Sequence, residues 1–428
     1  MSEVNYKKRI ADRILRDKLD AIGAVLIEGP KACGKTTTAE QQAGSVVYMD
    51  DPEKTEQLLR MANTNVKYLL QGKPPRLIDE WQLAPQLWDA IRYEVDHRSG
   101  DGQFMLTGSA VPADSSRIRH SGAGRFGWIT MRTMSLWESG DSTGEVSLSD
   151  LFDSRESTTQ GTSQISMEKL AFLICRGGWP KALFKKSEKA ALAQVEEYYQ
   201  AITRSDVSRV DNVNRSYERV QRLLRSYARL QGSQASIATI LADMIANESD
   251  ELSDMTVDSY LNALRKIFVV EDMPAWNPNL RSKTSIRTSD TRYFVDPSIA
   301  TASLGLGPRD LINDLNTFGL FFETLAVRDL RVYADAMGGQ IYHYRDSNGL
   351  ECDAVIHLRN GNYGLVEIKL GGEKLTEEGA ETLKKLSGKI DTSRMKEPSF
   401  MMVLTGVGQY AYEREDGVIV VPIGCLKD

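Results

Sequence analysis

Residues 24–38 read AVLIEGPKACGKTTT, and the reading of this stretch decides the fold. AVLIE is an apolar run of strand length, and TTTAEQQA opens a helix. Between them Gly29, Pro30, Lys31, Ala32, Cys33, Gly34, Lys35 and Thr36 satisfy G-x-x-x-x-G-K-[ST] at every fixed position, in the strand–loop–helix context that the motif requires. The glycines let main-chain N–H groups turn towards phosphates, and the helix N-terminus adds partial positive charge. Lys35 is expected to reach the β- and γ-phosphates of ATP and Thr36 to hold Mg²⁺, with Thr37 lining the same site. The plain alternative is a glycine turn between strand and helix. The complete pattern in its proper context weighs against it.

Working outward, SVVYMD (45–50), PRLIDE (75–80), GQFMLTGS (102–109) and the first half of GWITMRTMSLWE (127–138) also read as strands. Their alternation with helical stretches predicts a parallel α/β sheet over residues 1–140. PRLIDE ends in two acids. Asp79 is expected to coordinate Mg²⁺ through water and Glu80 to polarise the attacking water. An acid in the second place favours hydrolysis over phosphoryl transfer to a small molecule. Thr107, at the tip of FMLTGS, is a candidate to sense the γ-phosphate; a strand-ending turn is the competing reading. Arg125, in GAGRFG, is a candidate arginine finger in cis or on a neighbouring subunit, weighed against a merely solvated arginine.

The chain of 428 residues has room for two or three domains, and 41% hydrophobic with 26% charged residues is an ordinary globular balance. A net charge of -6 gives no global footprint for nucleic acid, so such a contact needs a local basic surface. Cys33, Cys175, Cys352 and Cys425 have no C-x-x-C spacing, which argues against a zinc site or a disulfide framework. The charged start and the lack of a run of about 20 apolar residues predict a soluble, cytoplasmic protein without a membrane span.

Residues 141–166 are rich in Ser, Thr, Gly and Asp and read as a linker. Helical periodicity then dominates, within a segment taken as 167–304. SQASIATILADMI (233–245) and TVDSYLNALRKIFVVEDMPAW (256–276) read as helix, connection, helix, strand, with TRYFVDPSIA (291–300) as a returning strand. The loop between those strands carries Arg281, Lys283, Arg287 and Arg292, and Arg265 and Lys266 end the second helix. This outline is that of a winged helix-turn-helix with a basic hairpin tip, and DNA is its natural partner. From 305 to 428 an apolar helix, several short strands and a helix at 373–388 predict a small α/β domain.

The P-loop, LIDEWQ, LTGSA, the GRF turn with MSLWE, and RGGWPKAL occur in that order. In this the chain resembles the prokaryotic AAA-type ATPases with a C-terminal DUF4143 region. Asp79, Glu80 and Gln82 match that family's Asp-Glu-x-Gln, and Gly177, Gly178, Trp179 and Pro180 match its Gly-Gly-aromatic-Pro. The resemblance implies an ATPase core, a helical and winged-helix middle region, and a nuclease-like C-terminal fold.

Within the last domain Asp353 lies in ECDAVIHLR, and Glu367 and Lys369 lie two apart in YGLVEIKL, facing the same side of a strand. A hairpin sets Asp353 beside them, and Glu323 on the preceding helix completes the set. Glu…Asp…Glu-x-Lys resembles the PD-(D/E)XK nuclease fold, in which Glu323, Asp353 and Glu367 would bind Mg²⁺ and Lys369 would position or deprotonate water. Solvated surface pairs of this type are common, and such folds also serve as inert binding modules. The sequence therefore supports a DNA-acting ATPase, possible as a homo-oligomer, against a signalling or scaffold ATPase that binds protein. ATP and Mg²⁺ are the expected cofactors.

Overall fold

A computed structural model of the chain describes residues 6–109, 120–153, 160–211, 213–246, 252–281 and 283–428. They form two compact units. The first holds residues 1–133, 202–216 and 261–269, and the second holds 134–201, 217–260 and 270–428. The helix Asp254–Lys266 contributes residues to both.

The first unit is built on strands β1 (Ala24–Glu28), β2 (Ser45–Tyr48), β3 (Arg76–Asp79), β4 (Phe104–Gly108) and β5 (Phe126–Thr130). They lie in the order β2-β3-β4-β1-β5 and every pairing is parallel. Their side chains alternate between two apolar faces, as a parallel sheet covered on both sides requires. Ala24, Leu26, Ile78, Phe104 and Leu106 pack with Trp81, Leu87, Trp88 and Ile91 on one face. Val25, Ile27, Leu77 and Met105 pack with Leu15 and Leu19 of the helix Ile10–Ala21 on the other. The register aligns Glu28 with Gly108 and Asp79 with Thr107, so the loop after β1 and the tips of β3 and β4 share one edge.

In the second unit β6 (Val146–Ser147) and β7 (Gly161–Thr162) precede the main strands β8 (Gly339–Arg345), β9 (Glu351–Leu358), β10 (Tyr363–Lys369), β11 (Phe400–Thr405), β12 (Tyr410–Glu413) and β13 (Ile419–Pro422), with β14 (Leu426–Lys427) last. Seven of them form one mixed sheet in the order β7-β12-β13-β11-β10-β9-β8. The helix Glu373–Lys389 lays Ala380, Leu383 and Leu386 over Val355, Leu365 and Val403.

Two expectations are corrected here. The stretch 141–166, read as a linker, is built into this unit: β6 pairs in parallel with β14, and β7 pairs antiparallel with β12. Residues 154–159 of that stretch, and Ala110 of LTGSA, lie outside the described residues. The basic loop is not a free hairpin tip. Residues 270 and 273 do bridge 294 and 291 antiparallel, but beyond them Ala275 bridges His343, Leu280 bridges Ile390 and Ile286 bridges Asp346. Trp276, 4% exposed, is part of the core of the sheet domain and anchors the loop there.

The middle region is helical. Tyr217–Leu230 packs on Ile237–Ile245, where Ser226 Oγ donates to the Ile240 carbonyl at 3.2 Å. The Gly-Gly-Trp-Pro signature has a packing role. A Cβ on Gly178 would stand 2.1 Å from the Met134 carbonyl oxygen, and Gly178 N–H donates to Asp296 at 2.9 Å. Asp296 also accepts from Arg328, whose guanidinium reaches Asp329 at 2.6 Å, and Asp329 accepts the Leu136 N–H at 2.9 Å. These three groups are buried, and the single Arg328 cation is shared between the two carboxylates.

Candidate active sites

The loop after β1 is shaped by residues that turn the chain the wrong way for ordinary side chains. Gly29 has φ +146 and Gly34 φ +105, and a Cβ on Gly29 would lie 2.0 Å from the Met131 carbonyl oxygen. Ala32 also adopts a left-handed conformation, with φ +64. Lys35 is buried, and its ammonium donates to the carbonyls of Gly29 and Pro30, both at 2.9 Å. The lysine thus spans the loop that it is expected to fill with phosphate. Cys33 is fully buried with its thiol on the Met131 carbonyl at 3.4 Å, so it packs and does not react. Thr37 lies in the helix Lys35–Glu40, its carbonyl accepting from Gln41.

Asp79 is the hub. One carboxylate oxygen accepts from Thr36 Oγ1 at 2.7 Å and from Thr107 Oγ1, so three expected site residues meet on one atom. Burial raises the Asp79 carboxyl above its ordinary value, and the two threonine hydroxyls work against that rise. A carboxylate beside a hydroxyl at the edge of a P-loop is an oxygen donor set suited to Mg²⁺. Glu80 follows in a left-handed conformation, φ +54, which swings its side chain out of the strand. Its carboxylate accepts from Ser109 Oγ at 2.9 Å and from the Gln82 amide. Gln82 and Ser109 therefore hold the second acid in place.

Two residues of this site carry no sequence signal. Arg9, 7% exposed, donates to the Cys33 carbonyl at 2.9 Å and the Arg132 carbonyl at 3.0 Å, clamping the loop from below. Asp206, in the turn Ile202–Asp206, forms an ion pair with Lys31 at 3.4 Å. Arg125 requires a correction. It sits at the opposite end of the sheet, where its carbonyl accepts the Ala24 N–H and its guanidinium pairs with Asp96 at 2.8 Å. β1 spans five residues, about 16 Å of extended chain, between Arg125 and the P-loop. A finger acting in cis is thereby ruled out.

The C-terminal residues do converge. Asp353 accepts the Ile368 N–H at 2.7 Å and Lys369 Nζ at 3.1 Å, and Lys369 reaches Glu367 at 2.6 Å. The other Glu367 oxygen is buried without a hydrogen-bond partner. Glu323 accepts from the Tyr293 hydroxyl. Burial, then the Asp353 charge, pushes both Glu323 and Glu367 up to about 8. Burial would lower Lys369, but the Asp353 and Glu367 carboxylates hold its ammonium well above the usual range. The expected metal set is corrected in one respect. No group of three His, Cys, Asp or Glu among the described residues is arranged to hold a metal. The Lys369 ammonium stands between Asp353 and Glu367 and pairs with both instead.

The basic residues diverge in use. Lys266, Arg281, Lys283 and Arg287 are exposed, and Arg281 also donates to Thr392 at 3.2 Å. Arg265 donates to Asn262 at 2.9 Å, whereas Arg292 is taken by Asp272 at 2.6 Å and the Ala235 carbonyl. No described helix is long and apolar enough to cross a membrane.

Three family matches tile the chain: an AAA domain over residues 22–139, the domain of unknown function DUF8612 over 167–310, and the domain of unknown function DUF4143 over 318–426. Uncharacterized protein Rv2008c of Mycobacterium tuberculosis (strain ATCC 25618 / H37Rv) is 23% identical over 365 residues, which are 85% of this chain and 74% of that protein. Uncharacterized protein Mb2031c of Mycobacterium bovis (strain ATCC BAA-935 / AF2122/97) matches to the same extent, 23% over 365 residues. Among solved structures, the Walker-type ATPase PABY2304 of Pyrococcus abyssi is 14% identical with a TM-score of 0.43, covering 71% of this chain and 97% of its own. The Aeropyrum pernix ORC1 protein in complex with DNA is 13% identical with a TM-score of 0.26, covering 70% of this chain and 93% of its own. The chain thus carries a segment that matches an AAA domain, with which the P-loop architecture of the first unit agrees, and a C-terminal segment that matches DUF4143.

Proposed function

We propose that this chain is a Mg²⁺-dependent ATP hydrolase that acts with DNA. The observation that carries the hydrolase reading is the convergence of Thr36 and Thr107 on Asp79, with Glu80 held beside them by Ser109 and Gln82. Lys35 exchanges the Gly29 and Pro30 carbonyls for the β- and γ-phosphates of ATP. Thr36 and Asp79 are the residues that would hold Mg²⁺, which when bound supplies charge neutralisation on the phosphates. Glu80 accepts a proton from the water that attacks the γ-phosphorus, and the products are ADP and phosphate. Thr107 keeps Asp79 oriented and ionised.

The DNA part rests on the order of elements from 217 to 294. Three helices are followed by an antiparallel pair, with Lys266, Arg281, Lys283 and Arg287 exposed. In the C-terminal domain, Asp353 and the unpartnered Glu367 oxygen are the groups that would take Mg²⁺ once Lys369 swings aside to a water or phosphate. The test is the steady-state ATPase rate with and without DNA, together with Mg²⁺-dependent nicking by wild type and Lys369→Ala. DNA-responsive hydrolysis and nicking lost in the variant support the reading. An ATPase rate indifferent to every nucleic acid, with no cleavage in Mg²⁺ or Mn²⁺, removes it.

Two observations favour a second reading, a scaffold ATPase that binds protein. The basic loop lies along the sheet domain, and Lys369 already pairs with Asp353 and Glu367. Nucleotide-dependent self-association without DNA affinity would support it; a salt-sensitive DNA complex would count against it.

A further inference from the structure

The chain leaves the first unit after residue 133, returns to it for 202–216, and leaves again. This return is held together from within. Ile202, Thr203, Val207 and Val210 are buried, and Arg215 grips both Asp211 oxygens, at 2.6 and 2.8 Å, and the Val207 carbonyl at 2.9 Å. Its first turn, Ile202–Asp206, is π-helical, a geometry that recurs where a helix must present a functional side chain. What that turn presents is Asp206, 15% exposed, to Lys31 at 3.4 Å. Lys31 is a variable-position residue of the P-loop, and its side chain is otherwise 61% exposed.

We propose that residues 202–216 form a nucleotide-responsive element, in which Asp206 holds Lys31 of the P-loop until a polyphosphate takes that lysine over. The inference rests on the reading that the P-loop binds a nucleoside triphosphate. A bound triphosphate places several negative charges over the loop, and one ammonium cannot serve both them and Asp206. The phosphates win through greater charge, and the freed carboxylate is left facing like charge. The turn is then driven away from the loop. Helix Glu188–Ala201 ends immediately before this element and helix Tyr217–Leu230 begins immediately after it. Its movement is therefore passed along the backbone to two helices of the second unit, and by linkage whatever holds those helices alters nucleotide affinity in return.

The test uses the full chain at low salt, with hydrogen exchange over 202–216 read with and without Mg²⁺-ATPγS, and affinity read with fluorescent mant-ATP. In wild type, nucleotide speeds exchange in 202–216. Asp206→Asn exchanges fast already, shows no further response, and binds mant-ATP about two- to fivefold tighter, the weight of an exposed ion pair. Asp206→Glu keeps the charge and restores the wild-type response, which separates the ion pair from any effect on folding. Nucleotide binding that leaves exchange in 202–216 unchanged overturns the proposal, as does an Asp206→Asn protein with wild-type affinity and response. Failure of wild type to bind mant-ATP at all overturns both this inference and the P-loop reading beneath it.

Discussion

Thr107→Val is the sharpest probe of the strand-tip arrangement. Valine keeps the shape of threonine at a position 1% exposed but removes the hydroxyl that donates to Asp79. A hydrogen bond to a charged group contributes about 1.5–3 kcal/mol. If that interaction is needed to keep Asp79 ionised and aimed, kcat/KM for Mg²⁺-ATP falls by about 10- to 150-fold. The pH dependence gives the direction independently. Burial already raises Asp79, and Thr107 and Thr36 are the two groups that hold it down. Losing one of them moves the acid limb of the pH–rate profile to higher pH, so the defect is worst at low pH and shrinks as pH rises. Thr107→Ser, which retains the donor, stays close to wild type. A Thr107→Val enzyme with the wild-type rate and an unshifted acid limb would refute the reasoning.

Further outcomes follow from the second unit. Gly178→Ala sets a Cβ 2.1 Å from the Met134 carbonyl oxygen and 2.7 Å from its nitrogen, backbone atoms that cannot rotate away, so it should cost at least about 3 kcal/mol in chemical denaturation. Arg328→Met removes the cation that the buried Asp296 and Asp329 carboxylates share, and a loss of about 3–5 kcal/mol is expected by the same measurement. Glu367 is raised to about 8 in the folded chain, above its unfolded value, so its contribution is complete in acid and lost as pH rises through about 8. Wild type should therefore lose Tm between about pH 4.5 and pH 8, and Glu367→Gln should lose less over that window; equal slopes would contradict the assignment.

The geometry of the P-loop and of the strand tips beside it was largely legible because its determinants are local. Gly29, Gly34 and Lys35 are fixed by the turn they make, and Asp79 and Thr107 are found by following strands to their ends. Arg9 and Asp206 were not legible. Each reaches the P-loop through tertiary packing from a distant segment, and no spacing ties them to it. The cis reading of Arg125 failed because a Gly-Arg-Phe turn says nothing about which end of the sheet it occupies. The polar composition of 141–166 suggested a linker, yet strands of two residues are enough to pair with β12 and β14 and are too short to show periodicity. In the basic loop the charges drew attention, while Trp276, Leu280 and Ile286 carried the structural signal. Three apolar residues among polar ones marked a chain laid on another surface.

The most direct test of the central claim compares wild type with Glu80→Gln, a change that keeps the size of the residue and its contact with Ser109 but removes the proton acceptor. Mant-ATP binding and phosphate release in Mg²⁺ are measured on the same samples. The expected result is binding within a few-fold of wild type, with phosphate release reduced by about 10²- to 10⁴-fold. Wild-type protein that binds mant-ATP and releases no phosphate, or a Glu80→Gln protein that releases it at the wild-type rate, would contradict a hydrolytic site built on Asp79 and Glu80.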